Sequence, residues 1–568
     1  MSSLDWIVLA ITLCGIILFG VWKSRGQKNL DSYFLGNQSM PAYIVLFSII
    51  GTQASAITFL SAPGQAYTDG MRFVQYYFGL PLAMVILCVT FVPIFHRLKV
   101  YTAYEYLEQR FDVKTRHLAS FLFLLQRGLS TGISIYAPSL ILSSLLGWDI
   151  YLTNVILGGL LIIYTVSGGT KAISYTQTQQ LVIIFGAMFL AGYMVIHILP
   201  AEMNFTDVLK IAGKSGKLNV ITTGFTDTGF NWKDKYNIFS GVIGGFFLAL
   251  SYFGTDQSQV GRYLTASSIK ESRKGLLMNG LIKIPMQFLI LLVGVLVFTF
   301  YCTFQGPVYY NTKILESTYK SEYGNELKFV EGKYHEVQDK KRAAALGLIA
   351  AGKNENQPAY IENSGQLKSL ESEALVLRKD AAGIIHKANP SADVSDTNYI
   401  FLHFVIANLP KGLVGLIIAI IFLAAWGSIA AALNSLASCS VIDWHHRIRQ
   451  KERSESRDLK LSRYYTFAWG IFSIVVAQIA GQMGSLIEAV NILGSLFYGT
   501  ILGIFVIAFY LKHIQGNAVF SSAVLTECLV IFIYVKDVVS FLWLNAIGCI
   551  LAVLIALVLQ VFLKKSKV

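Results

Sequence analysis

Four ionisable side chains stand inside runs of otherwise apolar residues: Arg127 in FLFLLQRGLSTG (Phe121–Gly132), Asp256 in LALSYFGTDQSQ (Leu248–Gln259), Lys283 in NGLIKIPMQF (Asn279–Phe288), and Glu488 in the run 484–512. A charge taken out of water is costly, so each needs an internal partner or an oppositely charged ligand. Two chemistries compete for Arg127: a structural pair with Asp256 or Glu488, or a grip on a solute carboxylate. Both hold in turn if the solute displaces the pair, which would tie binding to movement. Neutral polar residues gather in the same surroundings: Thr52, Gln53, Ser55 and Thr58 in SIIGTQASAITFLSAPG (Ser48–Gly64), and Thr255 and Gln257 around Asp256. An unbroken lipid-facing helix has no use for them. A helix that unwinds around a ligand does, because its freed carbonyls and amides can coordinate ions and solute.

Such residues need apolar spans to hold them, and the composition supplies these. Of 568 residues, 54% are hydrophobic and 14% charged, with mean hydropathy +0.56, where a soluble domain carries about 25% charged residues. Pro81 to Phe95 and Ala546 to Leu563 hold no ionisable side chain except cysteine. Taking roughly 20 apolar residues as one crossing, the chain reads as about thirteen spans, near 5–23, 40–62, 74–96, 116–144, 148–168, 177–199, 236–256, 273–302, 410–440, 461–483, 484–512, 516–536 and 540–562. Arg127 then lies about eleven residues into its helix, near the midplane at roughly 1.5 Å per residue, too deep to snorkel.

The first run, Trp6 to Trp22, has no basic segment before it and Lys23, Arg25 and Lys28 after it, the reverse of a cleavable signal. It reads as a helix with its N-terminus outside. An odd number of spans puts the C-terminus in the cytoplasm, in a multi-pass protein of the cell membrane. The segments His96 to Arg116, Arg262 to Lys274 and His445 to Arg463, with Lys564, Lys565 and Lys567, are short and basic and belong on the cytoplasmic side. Topology therefore accounts for the net charge of +13, and a nucleic-acid partner is not needed. The six cysteines, Cys14, Cys88, Cys302, Cys439, Cys528 and Cys549, show no metal or redox spacing and read as small core hydrophobes.

The span carrying Gln53 and the span carrying Asp256 each open a block of five spans, 40–199 and 236–512. Five is odd, so the second block enters the membrane from the opposite side, and paired interrupted helices in inverted repeats point to a binding site between them. Residues 1–39 form a peripheral helix and loop, 200–235 an outer loop, and 513–568 two peripheral helices. Residues 303–409 are a polar insertion on the outer side, with a helix-like stretch around Gln366 to Lys379. It reads as a segment that caps the bundle or is partly mobile, and more as solvated linker than as a functional part. No Ser-His-Asp, Cys-His or metal-ligand spacing lies at a common depth, so no enzyme is implied.

Four stretches carry a family resemblance: GTDQSQVGRYL (Gly254–Leu264), TAYEYLEQRF (Thr102–Phe111), IYAPSLIL (Ile135–Leu142) and YTVSGGTKA (Tyr164–Ala172). They resemble the sodium:solute symporter family, most closely its iodide, monocarboxylate and multivitamin carriers. The resemblance implies an all-α membrane protein with a LeuT-type five-plus-five inverted-repeat core and peripheral helices. It also implies a transported sodium ion, not a resident cofactor, held by backbone groups of Gly51, Ala54 and Ala424 and by hydroxyls at the positions of Gly427 and Ser428. Gly427 departs from that pattern and lacks its hydroxyl, leaving Thr58 or a water to adjust the site.

By the same resemblance, Gln53 matches a substrate-contacting polar position of sugar-carrying relatives, Lys283 matches a lysine of theirs, and Tyr252 resembles their inner gate tyrosine. The solute pocket would then be lined by Gln53, Arg127, Tyr252, Asp256, Lys283, Glu488 and Asn491. Relatives with a second sodium use an aspartate in a Trp-Thr-Asp stretch and further hydroxyls on the shared sodium helix. Here those places hold Tyr175, Thr176, Gln177 and Ala430, Ala431, so a single coupling sodium is expected. The function expected is sodium-coupled import of a small solute, anionic because Arg127 and Lys283 make the pocket cationic. A neutral sugar or polyol carrier, or a transporter-like membrane sensor, is the alternative. A channel is disfavoured by the two broken helices.

Overall fold

A computed structural model describes residues 1–24, 34–98, 100–167, 170–201, 203–390, 392, 395–449 and 455–563. The basic flank at Arg25 and Lys28, the C-terminal Lys564, Lys565 and Lys567, and Gly168 and Gly169 of the fourth motif lie outside them. Nine described helices are long and apolar enough to cross a membrane, and Ala42–Gln53, Ile150–Val166 and Ser240–Thr255 are shorter apolar helices. Each of the thirteen apolar runs coincides with a helix or a helix pair.

In chain order the helices used below are α1 (Ser3–Ser24), α2 (Ala42–Gln53), α3 (Ala56–Asp69), α4 (Leu80–Ile86), α5 (Val92–Leu98), α6 (Val113–Leu146), α7 (Ile150–Ser167), α8 (Thr170–Ile198), α9 (Gly245–Thr255), α10 (Gln257–Tyr263) and α11 (Ile269–Thr303). They continue with α12 (Gly324–Lys353), α13 (Gln357–Ala388), α14 (Thr397–Asn408), α15 (Leu413–Cys439), α16 (Glu455–Ala477), α17 (Leu486–Tyr510), α18 (Gly516–Val535) and α19 (Phe541–Phe562). Helix α15 is apolar around its whole circumference and buried along nearly its whole length, as an all-round hydrophobic helix must be in the centre of a bundle. It packs against α8, α6 and α1.

Two spans break where the sequence is polar. Between α2 and α3 the backbone leaves helical geometry at Ala54 (φ −82°, ψ 86°) and Ser55 (ψ 177°). Between α9 and α10 it does so at Asp256 (φ −79°, ψ 117°), which caps α10 by accepting the Ser258 amide at 2.8 Å. Helix α3 is held closely on two sides. A Cβ on Gly64 would lie 2.0 Å from the carbonyl oxygen of Thr397 in α14, and one on Gly294 of α11 would lie 2.1 Å from that of Pro63. The basic segments converge at one end of the bundle, where Arg110 donates to the Lys512 carbonyl (2.8 Å), Arg116 pairs with Asp443 (2.6 Å) and Arg447 with Glu108 (2.7 Å).

At the other end stands the insertion, and here the expectation of solvated linker is corrected. Residues 324–388 form an antiparallel hairpin of α12 and α13 with its own apolar seam, including Leu327, Tyr334, Val337, Ala374, Ala381 and Ile384. The apolar residues are spaced at helical intervals within a polar sequence, so their pattern is faint beside the membrane spans. Buried charges bind the hairpin to the bundle. Glu371 of α13 meets Lys341 of α12 at 2.5 Å and Lys217 of the 200–235 loop at 3.3 Å, and Lys217 donates to the Thr68 carbonyl at the end of α3 (2.7 Å). Arg378 pairs with Asp396 at 2.7 Å and lies over the rings of Tyr310 and Tyr67.

Burial pushes the Glu371 carboxyl up, but the ammonium groups of Lys341 and Lys217 more than offset it and hold the carboxyl below its ordinary value of 4.5. A depressed carboxyl stabilises the fold above that value, and the contribution disappears as pH falls through the lowered pKa. Glu371→Ala leaves two lysines buried without their carboxylate, and should cost about 3 kcal/mol at neutral pH. Hydrogen exchange should accelerate across 324–388 far more than in α15, and the difference from wild type should shrink as pH falls below the ordinary carboxyl value of 4.5 and through the lowered pKa. Equal protection of the hairpin in both proteins would show that the triad does not hold it.

Candidate functional site

The first break and the helix before the second face one cavity of about 100 Å³, lined by Thr52, Gln53, Ser55 and Thr58 from the first broken helix and by Tyr252 from the second. Helix α6 adds Arg127 and a stripe of Gln126, Ser130, Thr131 and Ser134; α17 adds Asn491 and Tyr498, and α15 adds Ser428. The stripe follows from helical spacing, since residues three and four apart share a face.

The charged centre of the site is a four-membered cluster. Asp256 divides its oxygens. Oδ1 caps α10, accepting the amide (2.8 Å) and the hydroxyl (2.6 Å) of Ser258. Oδ2 accepts from Arg127 and from the Tyr498 hydroxyl (2.8 Å), while Arg127 also donates to that hydroxyl (2.9 Å). The guanidinium lies 5.4 Å from the centroid of Tyr252, whose own hydroxyl accepts from Gln259 (2.7 Å). Asp256 thus keeps its cap and Tyr498 even if Arg127 turns away, so the pair can be opened by a competing carboxylate at lower cost than a lone buried pair. Three polar atoms beside the cavity, Gln53 Oε1, Gln126 Oε1 and Arg127 Nε, have no hydrogen-bond partner among the described residues.

The candidate cation residues lie at the contact of α2 with α15. Ser428 lines the cavity and donates its hydroxyl hydrogen to the carbonyls of Ala424 (2.9 Å) and Ala425 (3.1 Å), which leaves its oxygen lone pairs for a cation. Thr58 lines the same cavity and Ala54 is buried at the break. Gly51 and Gly427 both face Gln177 of α8.

Of the expected solute residues, Gln53, Arg127, Tyr252 and Asn491 line the cavity, and Asp256 stands directly behind Arg127. Two do not reach it. Glu488 is in the first turn of α17, where it meets Lys235 (2.8 Å), Tyr236 (3.2 Å) and Gln65 (3.3 Å). Lys283 is buried on α11 with its Nζ 5.6 Å from the ring of Tyr77, and it is Tyr77, not Lys283, that lines the cavity. Residues not foreseen are Tyr498, Tyr76 and the α6 stripe. The stripe has a signal, hydroxyls and an amide at helical spacing beside Arg127; Tyr498 has none among 29 tyrosines.

A bundle of apolar helices, two of them broken around a small polar cavity, is the architecture of a carrier with an enclosed site. A profile of the sodium:solute symporter family matches residues 33–315 and 377–525. The chain belongs to that family. It is 26% identical over 523 residues to the sodium/sialic acid symporter SiaT of Proteus mirabilis, covering 91% of this chain and 86% of the relative. Human sodium/iodide cotransporter is 30% identical over 281 residues, 48% of this chain and 42% of the relative. The fold is similar to a sodium-coupled sialic acid symporter solved in a substrate-bound outward-open state, with TM-score 0.74 at 23% identity, covering 100% of this chain and 99% of that one. The fold is LeuT-like and the protein is a multi-pass membrane protein, and its family is one of transporters, not enzymes.

Asp256→Ala should destabilise the protein by about 3–5 kcal/mol because Arg127 is left as an uncompensated charge, whereas the double variant Arg127→Leu with Asp256→Leu should recover most of that loss. Thermal unfolding of the purified variants in detergent reads both. A double variant as unstable as Asp256→Ala would mean that Asp256 acts through its cap on α10 and not through Arg127.

Proposed function

We propose that the chain is a sodium-driven symporter importing a small organic anion, a carboxylate or sugar acid, by alternating access. The observation that carries this reading is Arg127, a cation at the wall of a cavity whose lining mixes hydroxyls, amides and aromatic rings with aliphatic side chains. The carboxylate of the solute would take the guanidinium from Asp256, and Gln53, Asn491 and the α6 hydroxyls would receive its polar groups. The similarity to symporters of sialic acid, an acidic sugar, supports the anionic class.

Sodium at Gly51, Ala54, Ala424 and Ser428, with Thr58 in reach, would hold the broken segment between α2 and α3 in the form that shapes the pocket. Hard cations favour several neutral oxygens, and unwound carbonyls supply them without a fixed charge. Rocking of the bundle then carries both inward, and loss of sodium inside frees the solute. The basic end of the bundle is taken as cytoplasmic and the insertion as external, with repeats at 40–199 and 236–512 and the N-terminus outside.

Uptake of labelled anionic and neutral solutes into proteoliposomes, with and without an inward sodium gradient, tests the reading. Anions should accumulate only with the gradient. Arg127→Gln should abolish that uptake; a fully active Arg127→Gln, or an uncharged best solute, would make the arginine structural.

Ser428→Ala removes the hydroxyl of the candidate cation site, so it should raise the sodium concentration for half-maximal uptake several-fold while changing solute affinity at saturating sodium less. Unaltered sodium dependence in this variant would place the cation elsewhere.

A further inference from the structure

The amide of Gln177 joins three helices. It is fully buried on α8. Its Nε2 donates to the Gly427 carbonyl on α15 (3.1 Å) and to the Thr52 hydroxyl on α2 (3.2 Å), and its Oε1 accepts from the Ser48 hydroxyl on α2 (2.9 Å), which is itself 2.9 Å from Ser174 of α8. Helix α2 ends one residue beyond Thr52, at the break. One carboxamide therefore binds the movable end of the first broken helix to the central helix of the bundle.

The surrounding backbone is shaped to this side chain. A Cβ on Gly51 would lie 2.9 Å from Gln177 Cβ, and a Cβ on Gly427 would lie 2.7 Å from Gln180 Oε1 and 3.2 Å from Gln177 Cγ. A side chain at 427 would displace the flexible tip of Gln180 and press on Gln177 Cγ, so Gly427 and Gln177 are closely packed against one another. Farther along α15, Ala430 and Ala431 pack in an apolar cluster with Ile173 and Tyr164, and provide no oxygen ligand from their side chains.

Resting on the sodium-symport reading above, we propose that Gln177 is a positioning residue whose amide N–H groups take the place of a bound cation at the α2–α8–α15 junction, so that the carrier couples one sodium ion per solute. Converging neutral oxygens can be drawn together by a cation or by N–H donors. A cation is taken up on one side of the membrane and released on the other, so it transmits the gradient. An amide is present throughout the cycle, holds the same oxygens, and transmits nothing. The ion dependence of the movement is thereby left to the site at Ser428.

The test exchanges donor for acceptor at constant shape. Gln177→Glu, assayed at alkaline pH so that the buried carboxyl does not simply take up a proton and donate its O–H in the amide's place, turns a carboxylate toward the Gly427 carbonyl, where a cation is needed. In proteoliposomes, the reversal potential of solute flux at several sodium gradients should correspond to one sodium per solute for wild type and two for Gln177→Glu, and the sodium dependence of uptake should change from hyperbolic to sigmoidal. Gln177→Leu removes the tether without adding a charge, and should slow uptake while the dependence stays hyperbolic. Thermal unfolding of purified Gln177→Glu against sodium concentration should show a stabilisation exceeding that of wild type, a readout that survives a loss of transport. A wild-type slope of two sodium ions overturns the proposal, as does a folded Gln177→Glu with the sodium response of wild type in both assays at a pH where its carboxyl is ionised. Absence of any sodium-driven uptake by the wild type would instead remove the symport reading beneath it.

Discussion

Backbone amides and carbonyls inside a membrane have no water to bond, so a chain can leave the helix there only where other protein groups or a ligand receive it. The breaks at Ala54–Ser55 and at Asp256 are the two places where this chain does so at depth beside the cavity, and the rest of the site is arranged around them. At the second break the need is met from within, since the Asp256 carboxylate receives the Ser258 amide. At the first, Ala54 donates back to Ile50 and Ser55 to Gln53 (2.7 and 3.1 Å), while no side chain caps α3. The first break therefore retains more unspent capacity for an ion or a solute than the second.

The charges divide along the same line. Asp256 works at once as a helix cap and as the counter-ion of Arg127, so the second broken helix carries a pair that a carboxylate can open without dismantling the helix end. The first broken helix carries no charged residue between Ser48 and Gly64 and offers only neutral oxygens, the ligands a hard, weakly held cation needs. With Arg127 on α6 and neutral oxygens on α2 and α15, the positions proposed for anion and cation lie on separate elements that share one wall, Ser428 and Thr52 lying beside the same cavity as Arg127.

Much of this was legible in the residues. Thr52 to Thr58 and Thr255 to Gln257 marked both breaks, because polar residues in an apolar run have few other uses; for Arg127 the residues left Asp256 or Glu488 as partner, and the structure has Asp256. Depth was the weaker inference. Glu488 lies in the span but in the first turn of α17, just after the turn at Gly484 and Ser485, where it pairs with Lys235 instead of reaching the cavity. Lys283 has the right depth and the wrong azimuth: helix α11 is apolar enough on every side that its sequence does not reveal which face meets the cavity. The hairpin of 324–388 was missed as a packed element because its seam is built of alanines and single large residues in a polar sequence, and because its anchoring charges pair across long separations, Lys217 with Glu371 and Arg378 with Asp396.

That hairpin bears on how the core can move. The family profile passes over residues 316–376, so α12 and much of α13 are additions to the shared core. Yet they are not loosely appended. Lys217 joins Glu371 to the last turn of α3, the Tyr67 hydroxyl of α3 lies 2.9 Å from that of Tyr310, and Gly64 touches the backbone of Thr397. A contact between backbones at that distance cannot slide past a side chain, and a buried lysine cannot be parted from its carboxylate without a cost of several kcal/mol. Any motion of α3 about the break at Ala54 must therefore carry the hairpin with it or separate from it along this seam. Helix α3 is thus restrained by the insertion, while the end of α2 is restrained by Gln177, and the part of the first broken helix that lines the cavity lies between these two restraints.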